Sequence, residues 1–225
     1  MIVVLTGGTG GAKFVDGLSL VLPADELTAI VNTGDDHSWW GLYVSPDLDS
    51  IAYALGGILS EERGWGVRGD TFHCLEAMKK LGEPAWFSVG DRDLATHLLR
   101  TELLSKGLSL SEATRTICAK LAVHSEILPM SDDRVETRID TPAGDLSFEE
   151  YFVQRCYRDK VNSVRFLGAD KAKPAPGVIQ AIATASAVVI APSNPVTSIG
   201  PILAVPGIRD ALAQTPAKVI AVSPI

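Results

Sequence analysis

This sequence predicts an α/β fold: a doubly wound, mostly parallel, Rossmann-like sheet carrying a helical and short-strand insert. Three observations carry that expectation. An apolar strand, Met1 to Leu5, runs directly into Thr6-Gly7-Gly8-Thr9-Gly10-Gly11-Ala12-Lys13. A helical pattern and a second apolar strand, Leu27 to Val31, complete a βαβ-like start. Far along the chain, Ala187 to Ala191 is uninterrupted apolar sequence, as a central parallel strand buried on both faces requires.

The elements follow in order. Val3 to Leu5 is a buried strand and Ala12 to Leu22 the first helix. After Val31, Asn32 to Tyr43 reads as a polar loop. Ser45 is placed to cap a helix that begins at Pro46, whose fixed φ suits a first helical position. Asp47 and Asp49 complement that helix's dipole, and Gly56-Gly57 stops it after Leu55. Asp70 to Leu81, ended by Gly82, is the next helix. Asp91 to Lys106 and Ser109 to Val123 have helical apolar spacing, at Leu94, Leu98, Leu99 and at Ala113, Ile117, Leu121. Two helices without a strand between them predict a cap, so about 91–165 is expected to form an insert in one domain spanning 1–225. Short strands fall in Glu126 to Ile139, Leu146 to Phe148 and Val164 to Leu167. Pro176 to Ala185 and Pro206 to Gln214 are helices, and Lys218 to Val222 is a last buried strand.

Composition narrows the function. The 225 residues are 46% hydrophobic and 21% charged, the balance of a well-cored globular chain. Twenty basic residues against 27 acidic ones give a net charge of −7. Without a dense Lys/Arg run, neither nucleic acid nor an anionic membrane is an expected partner. Cys74, Cys118 and Cys156 are odd in number and widely spaced, so no disulfide framework or zinc site follows. Met1 opens a strand at once, with no signal-peptide pattern, and no apolar run approaches the roughly 20 residues of a membrane span. A cytoplasmic location is expected.

The glycine turn points to a phosphorylated ligand. Glycines leave backbone N–H groups bare, and the helix that follows adds its positive dipole end. Lys13 puts a cation beside the turn. The turn is not a standard dinucleotide fingerprint, because Lys13 stands where a third glycine would. Nor is it a kinase-type P-loop, because Phe14 follows Lys13. No Tyr-x-x-x-Lys pair supports a short-chain dehydrogenase. Three polar loops follow apolar strands: the glycine turn, Asn32 to Asp36, and Ser193-Asn194. In an open α/β sheet they meet at the carboxyl edge, where ligands bind.

Carboxylates gather near that edge. Asp35-Asp36 follow the second strand, Asp47 and Asp49 flank Leu48, and Asp91 and Asp93 flank Arg92. Such pairs suit a divalent cation bridging phosphates, and Asp47 and Asp91 equally suit helix capping. His97 is four residues after Asp93, on one helix face. Trp39-Trp40 and Trp65 read either as stacking groups for a flat ligand or as buried anchors.

Read together, Gly7 to Lys13, Asn32-Thr33-Gly34-Asp35-Asp36, Ser45-Pro46-Asp47-Leu48-Asp49, Gly90-Asp91-Arg92-Asp93-Leu94-Ala95-Thr96-His97, Pro129-Met130-Ser131-Asp132-Asp133 and Pro192-Ser193-Asn194-Pro195 occur in an ordered set. The set resembles the 2-phospho-L-lactate transferases, the CofD-type enzymes of coenzyme F420 biosynthesis. The resemblance implies transfer of a 2-phospholactyl or phosphoenolpyruvyl group from its guanosine-diphosphate-activated form to the terminal ribityl hydroxyl of the deazaflavin Fo, with release of GMP. It implies Mg²⁺ as cofactor and a homodimer. It implies that Asp49 acts at the Fo hydroxyl, and that Asp36, Asp49 and Asp91 are the catalytic and metal-holding carboxylates. The substrates are then expected at Gly7, Gly8, Thr9, Gly10, Lys13, Asn32, Asp47, Arg92, His97, Ser193 and Asn194. Relatives usually continue past Ile225, so a further C-terminal segment is expected. A nucleotide-sugar-binding regulator of the gluconeogenesis-factor type shares the glycine turn, but it lacks the Gly-Asp-Arg-Asp helix start.

Overall fold

The computed structural model describes residues 1–224; Ile225, the last position of the expected domain, lies outside them. The chain runs β1 (Ile2–Thr6), α1 (Gly8–Ser19), β2 (Leu27–Val31), β3 (His37–Trp39), β4 (Leu42–Val44) and α2 (Pro46–Leu55). Then come α3 (His73–Lys80), α4 (Asp91–Ser105), α5 (Leu110–Lys120), β5 (Glu126–Pro129), β6 (Glu136–Thr141), β7 (Gly144–Ser147) and β8 (Ser163–Leu167). The last elements are α6 (Val178–Thr184), β9 (Ala187–Ile190), α7 (Ile199–Ala204), α8 (Ile208–Gln214) and β10 (Lys218–Ala221).

Five strands form a parallel sheet in the order β10-β9-β1-β2-β5. The alternation of a strand divides its side chains between two cores. Val3, Leu5 and Ile30 enter the core built with α6, α7 and α8, through Val178, Ile182, Ile202 and Ile208. Val4, Ala29 and Val31 enter the opposite core, with Ala12, Val15, Leu48 and Ile51 of α1 and α2. Helices therefore cover both faces, and the doubly wound expectation holds. From β1 the chain builds outward through β2 to β5, then crosses to β9 and β10. That reversal beside β1 is the place where such sheets open a crevice.

Several elements differ from the sequence reading. The first helix starts at Gly8, not Ala12, because the glycine turn is itself the first turn of α1. The expected polar loop of Asn32 to Tyr43 holds the β3–β4 hairpin; Trp39 anchors it against Trp86 and Phe87, with ring centroids at 4.8 and 5.8 Å. Helix α3 starts at His73 rather than Asp70, whose carboxylate serves α4 instead. The stretch of about 91–165 is not one insert: β5 within it is a strand of the main sheet, and only β6, β7 and β8 form a separate antiparallel sheet. Helix α7 was not expected. The final strand is not buried: β10 is the sheet's edge, and all four of its residues are exposed. Among the described residues no helix is long and apolar enough to cross a membrane.

Candidate functional site

At the carboxyl ends of β1, β2 and β9 lies a cavity of about 410 Å³, in the range of small-molecule sites. Gly7, Gly8, Thr9 and Gly10 form one side of it, with Ser193 and Asn194. Two of the three polar loops are joined directly, since the Gly7 N–H donates to Ser193 Oγ at 3.3 Å. Gly7 has no room for a side chain: a Cβ there would stand 2.5 Å from Asp47 Oδ2 and 2.9 Å from Asn32 Cβ. The α1 start thus reaches the cavity with its backbone uncovered by side chains, the Gly7 N–H held by Ser193 and the Gly8 N–H by Asp47, the kind of helix-start cradle at which an anion can bind. Lys13 is exposed on α1 and does not reach the cavity wall. The cradle consequently relies on backbone N–H groups rather than on that cation.

The other polar loop places carboxylates opposite the cradle. Asn32 is fully buried behind the wall. Its amide donates to Asp35 Oδ2 at 3.0 Å and to Asp47 Oδ2 at 2.9 Å, while its Oδ1 accepts from the Gly34 N–H at 2.8 Å. It thus holds two lining carboxylates in place instead of touching the cavity. Asp36 is also behind the wall; its oxygens accept from Ser45 Oγ at 2.6 Å and Tyr43 Oη at 2.9 Å. Ser45 spends its hydroxyl there and makes no helix cap. Asp36 therefore ties the β3–β4 hairpin to the start of α2, which explains its position better than a metal-ligating role. Burial pushes its carboxyl up to about 7.

Asp91 is not at the cavity. Its oxygens accept from the His73 and Cys74 N–H groups at 3.1 and 2.9 Å, so it caps α3. Thr71's hydroxyl, then the Cys74 amide, hold its carboxyl below the usual range. Asp70 returns the arrangement, accepting from the Arg92 and Asp93 N–H groups at 2.8 and 3.0 Å at the start of α4. A Cβ on Gly90 would overlap Asp70, so only glycine permits this exchange of caps. Arg92 turns away as well, donating to the Arg68 carbonyl at 3.2 Å.

Helix α4 buries a polar stripe: Asp93, Thr96, His97 and Arg100. The leucine spacing had suggested an apolar inner face, yet Leu98 is 53% exposed. The stripe meets Asp49 and Tyr53 of α2. Arg100 grips Asp49 with both terminal nitrogens, NH1 at 3.1 Å from Oδ2 and NH2 on Oδ1. His97 lies between two carboxylates, Nδ1 3.5 Å from Asp49 Oδ2 and Nε2 3.5 Å from Asp93 Oδ1. Tyr53 Oη donates to Asp93 at 2.7 Å. Burial pushes Asp93 up, but His97 and Tyr53 outweigh it and hold the carboxyl below its ordinary value.

One ligand atom each from Asp49, Asp93 and His97 falls within a 4.8 Å group, the spacing a metal ion needs. An ionised carboxylate offers about four lone-pair sites, so Asp49 can accept from Arg100 and still present oxygen to a cation. Two carboxylates are a usual protein contribution to Mg²⁺. The residues present therefore fit a divalent cation. Asp35, Asp47 and Glu149 also line the cavity, with Trp65, Phe87, Phe148 and Phe152 as aromatic wall.

Of the residues singled out in the sequence, Gly7, Gly8, Thr9, Gly10, Asp47, Asp49, His97, Ser193 and Asn194 share this cavity. Lys13, Asn32, Asp36, Asp91 and Arg92 do not line it. Asp35 and Asp93, read in the sequence only as members of acidic pairs, line it as well, whereas Arg100, Tyr53 and Glu149 were not singled out. The i, i+4, i+7 spacing of Asp93, His97 and Arg100 could have marked one helix face; nothing local announced Glu149.

Comparison with known proteins gives the family. A family model described as 2-phospho-L-lactate transferase CofD matches residues 2–225. A Kitasatospora aureofaciens protein named phosphoenolpyruvate transferase is 50% identical over 230 residues, covering 100% of this chain and 72% of its own. A Nocardia farcinica protein of the same name is 50% identical over 232 residues, covering 99% and 69%. Among solved structures, protein BH3568 from Bacillus halodurans shares the fold, with a TM-score of 0.68 at 24% identity, over 98% of this chain and 67% of that one. On the match across its length and the identity to these relatives, the chain belongs to the CofD family.

Proposed function

We propose that this protein is a transferase of coenzyme F420 biosynthesis. It moves a phosphoenolpyruvyl or 2-phospholactyl group from a guanosine-diphosphate-activated form to the terminal ribityl hydroxyl of Fo, releasing GMP. One observation carries the reading: a single cavity combines a helix-start amide cradle, an aromatic wall and an Asp49–Arg100–His97–Asp93 network. The cradle suits a diphosphate, the aromatic wall a flat deazaflavin. The names of the relatives above support the phosphoenolpyruvyl group as the first to try.

The hydroxyl oxygen bonds to the phosphorus next to the three-carbon acid, and the bond from that phosphorus to the GMP oxygen breaks. GMP leaves with the electron pair. Asp49 orients the hydroxyl and accepts its proton, while Arg100 fixes the carboxylate. His97 stands between Asp49 and Asp93, 3.5 Å from an oxygen of each. Asp49 and Asp93 would hold Mg²⁺, which supplies charge neutralisation at the phosphoryl group. The protein is expected to act as a homodimer in the cytoplasm.

Fo fluorescence titration of the purified protein, with and without GDP and Mg²⁺, tests the reading. Saturable Fo binding that tightens with GDP and Mg²⁺ supports it, and turnover with each activated acid then identifies the donor. Absent Fo binding, together with preferential thermal stabilisation by UDP-sugars, sinks it.

A further inference from the structure

Three aromatic rings in the segment after β7 belong to none of the apolar cores. Phe148 and Phe152 line the cavity, and Tyr157 stands outside it. Phe148 and Phe152 are four residues apart across the π-helical turn Glu150–Gln154, with centroids at 5.3 Å and planes within 14°. Tyr157 continues the stack, 5.5 Å from Phe152 and tilted by 32°. The offset leaves Phe152, in the middle, 49% exposed. A half-open phenylalanine in a cavity wall, with no core behind it, is apolar surface left for a ligand to cover.

The segment that carries these rings is bonded only to itself. Among the described residues, every hydrogen bond and ion pair of 148–159 closes within 147–159. The Arg155 N–H donates to the Glu150 carbonyl and the Tyr157 N–H to the Tyr151 carbonyl, both at 2.9 Å. Arg155 pairs with Asp159, and Glu150 exchanges hydrogen bonds with Ser147. None of residues 150–160 is buried. Both ends are fixed on β6. Ser147 pairs with Arg138, and the Asn162 N–H donates to the Asp140 carbonyl at 2.8 Å. A unit with internal order, two fixed ends and no polar tie to the rest of the wall moves as one piece about those ends.

We infer that residues 148–159 are a hinged flap, turning about Ser147 and Asn162, that lays Phe152 on a flat heteroaromatic ring of the bound ligand. Phe152 is thus a specificity-determining residue of the cavity. The inference rests on the reading above for the identity of the ring, which Fo and the guanine of GDP both supply. The hinge rests on the bonding pattern alone.

Hydrogen–deuterium exchange of the whole chain, read by mass spectrometry, separates those parts. In the free protein the amides of 148–159 are expected to exchange well before those of β6. Equal protection overturns the hinge and the inference with it. Saturating Fo or GDP, each with Mg²⁺, is expected to slow exchange in 148–159, and the ligand that slows it identifies the ring. If both ligands bind and neither slows the segment, the inference falls. If neither binds, the reading of the site fails and the ring contact fails with it; exchange in the free protein still decides the hinge.

Variants then test the contact. Phe152→Ala is expected to weaken the protecting ligand about tenfold, the scale of one lost ring contact. Phe152→Trp, which keeps a flat apolar face, should bind within about twofold of the wild type. Tyr157→Ala removes a ring outside the cavity and should also stay within about twofold. Wild-type affinity in Phe152→Ala overturns the contact. An equal loss in Tyr157→Ala overturns it too, because stiffness of the stack rather than contact with the ligand would then carry the effect.

Discussion

Two groups of buried carboxylates line one cavity, and they are stabilised in opposite ways. Asp49 and Asp93 have cationic or donor partners in Arg100, His97 and Tyr53. Asp35, Asp47 and Glu149 face mainly one another, with Asn32 as shared donor to two of them. The consequence is a divergence in proton affinity. Asp93 is held low, while Asp47 is pushed up to about 6 and Glu149 to about 8, first by burial.

The paired group is expected to give the largest effects when broken. Asp49→Asn should lower kcat about 10²–10⁴-fold, the range of one acid–base group, with GDP affinity changed far less. Unchanged turnover and unchanged Mg²⁺ dependence would remove Asp49 from the mechanism. Arg100→Met leaves Asp49 buried without its partner and should cost about 3–5 kcal/mol in urea unfolding. The double variant Asp49→Leu, Arg100→Met should recover most of that stability without activity, since removing both charges removes the desolvation penalty. A double variant no more stable than Arg100→Met would show that the pair is not the reason for the loss.

Effects on the unpaired group should be smaller and depend on pH. Gly7→Ala pushes a methyl group toward Asp47 and Asn32 and should cost about 1–3 kcal/mol of stability together with GDP binding. Asp47 has a raised folded pKa, so its share of stability is complete below the unfolded value and is lost as pH rises through about 6. Asp47→Asn is therefore expected to gain on the wild type by about 6–12 °C in Tm between pH 4 and 8, for a protein of this size. A constant gap across that range would mean that Asp47 is charged throughout. As a control remote from the cavity, Ser109→Ala removes the capping box of α5 and should cost about 1 kcal/mol while leaving GDP binding alone.

Much of this architecture was legible without coordinates. The apolar strands, the proline-started α2 and the Ser109 cap of α5 are local features, set by backbone preference and side-chain period. The meeting of the glycine turn, the Asn32 loop and Ser193 followed from sheet topology. What local reading could not rank was competition. Asp36, Asp47, Asp49 and Asp91 look alike as loop or helix-start acids. Only the packing shows Asp91 spent on α3, Asp36 on Ser45 and Tyr43, and Asp49 on Arg100. Leucines at helical spacing likewise concealed the polar stripe of α4, because a helix buries whichever face its neighbour can satisfy.

The sequence by itself determined the α/β class, most of the strands and helices along the chain, the glycine turn that opens α1 and the family. These rest on period, turn chemistry and ordered motifs, all short-range. The tertiary structure alone decided which carboxylates face the cavity, which are neutralised and by what. Charge pairing between Asp49 and Arg100 joins residues 51 positions apart. Burial of Glu149 against Asp47 spans still more of the chain, and proton affinity depends on such distances rather than on residue type.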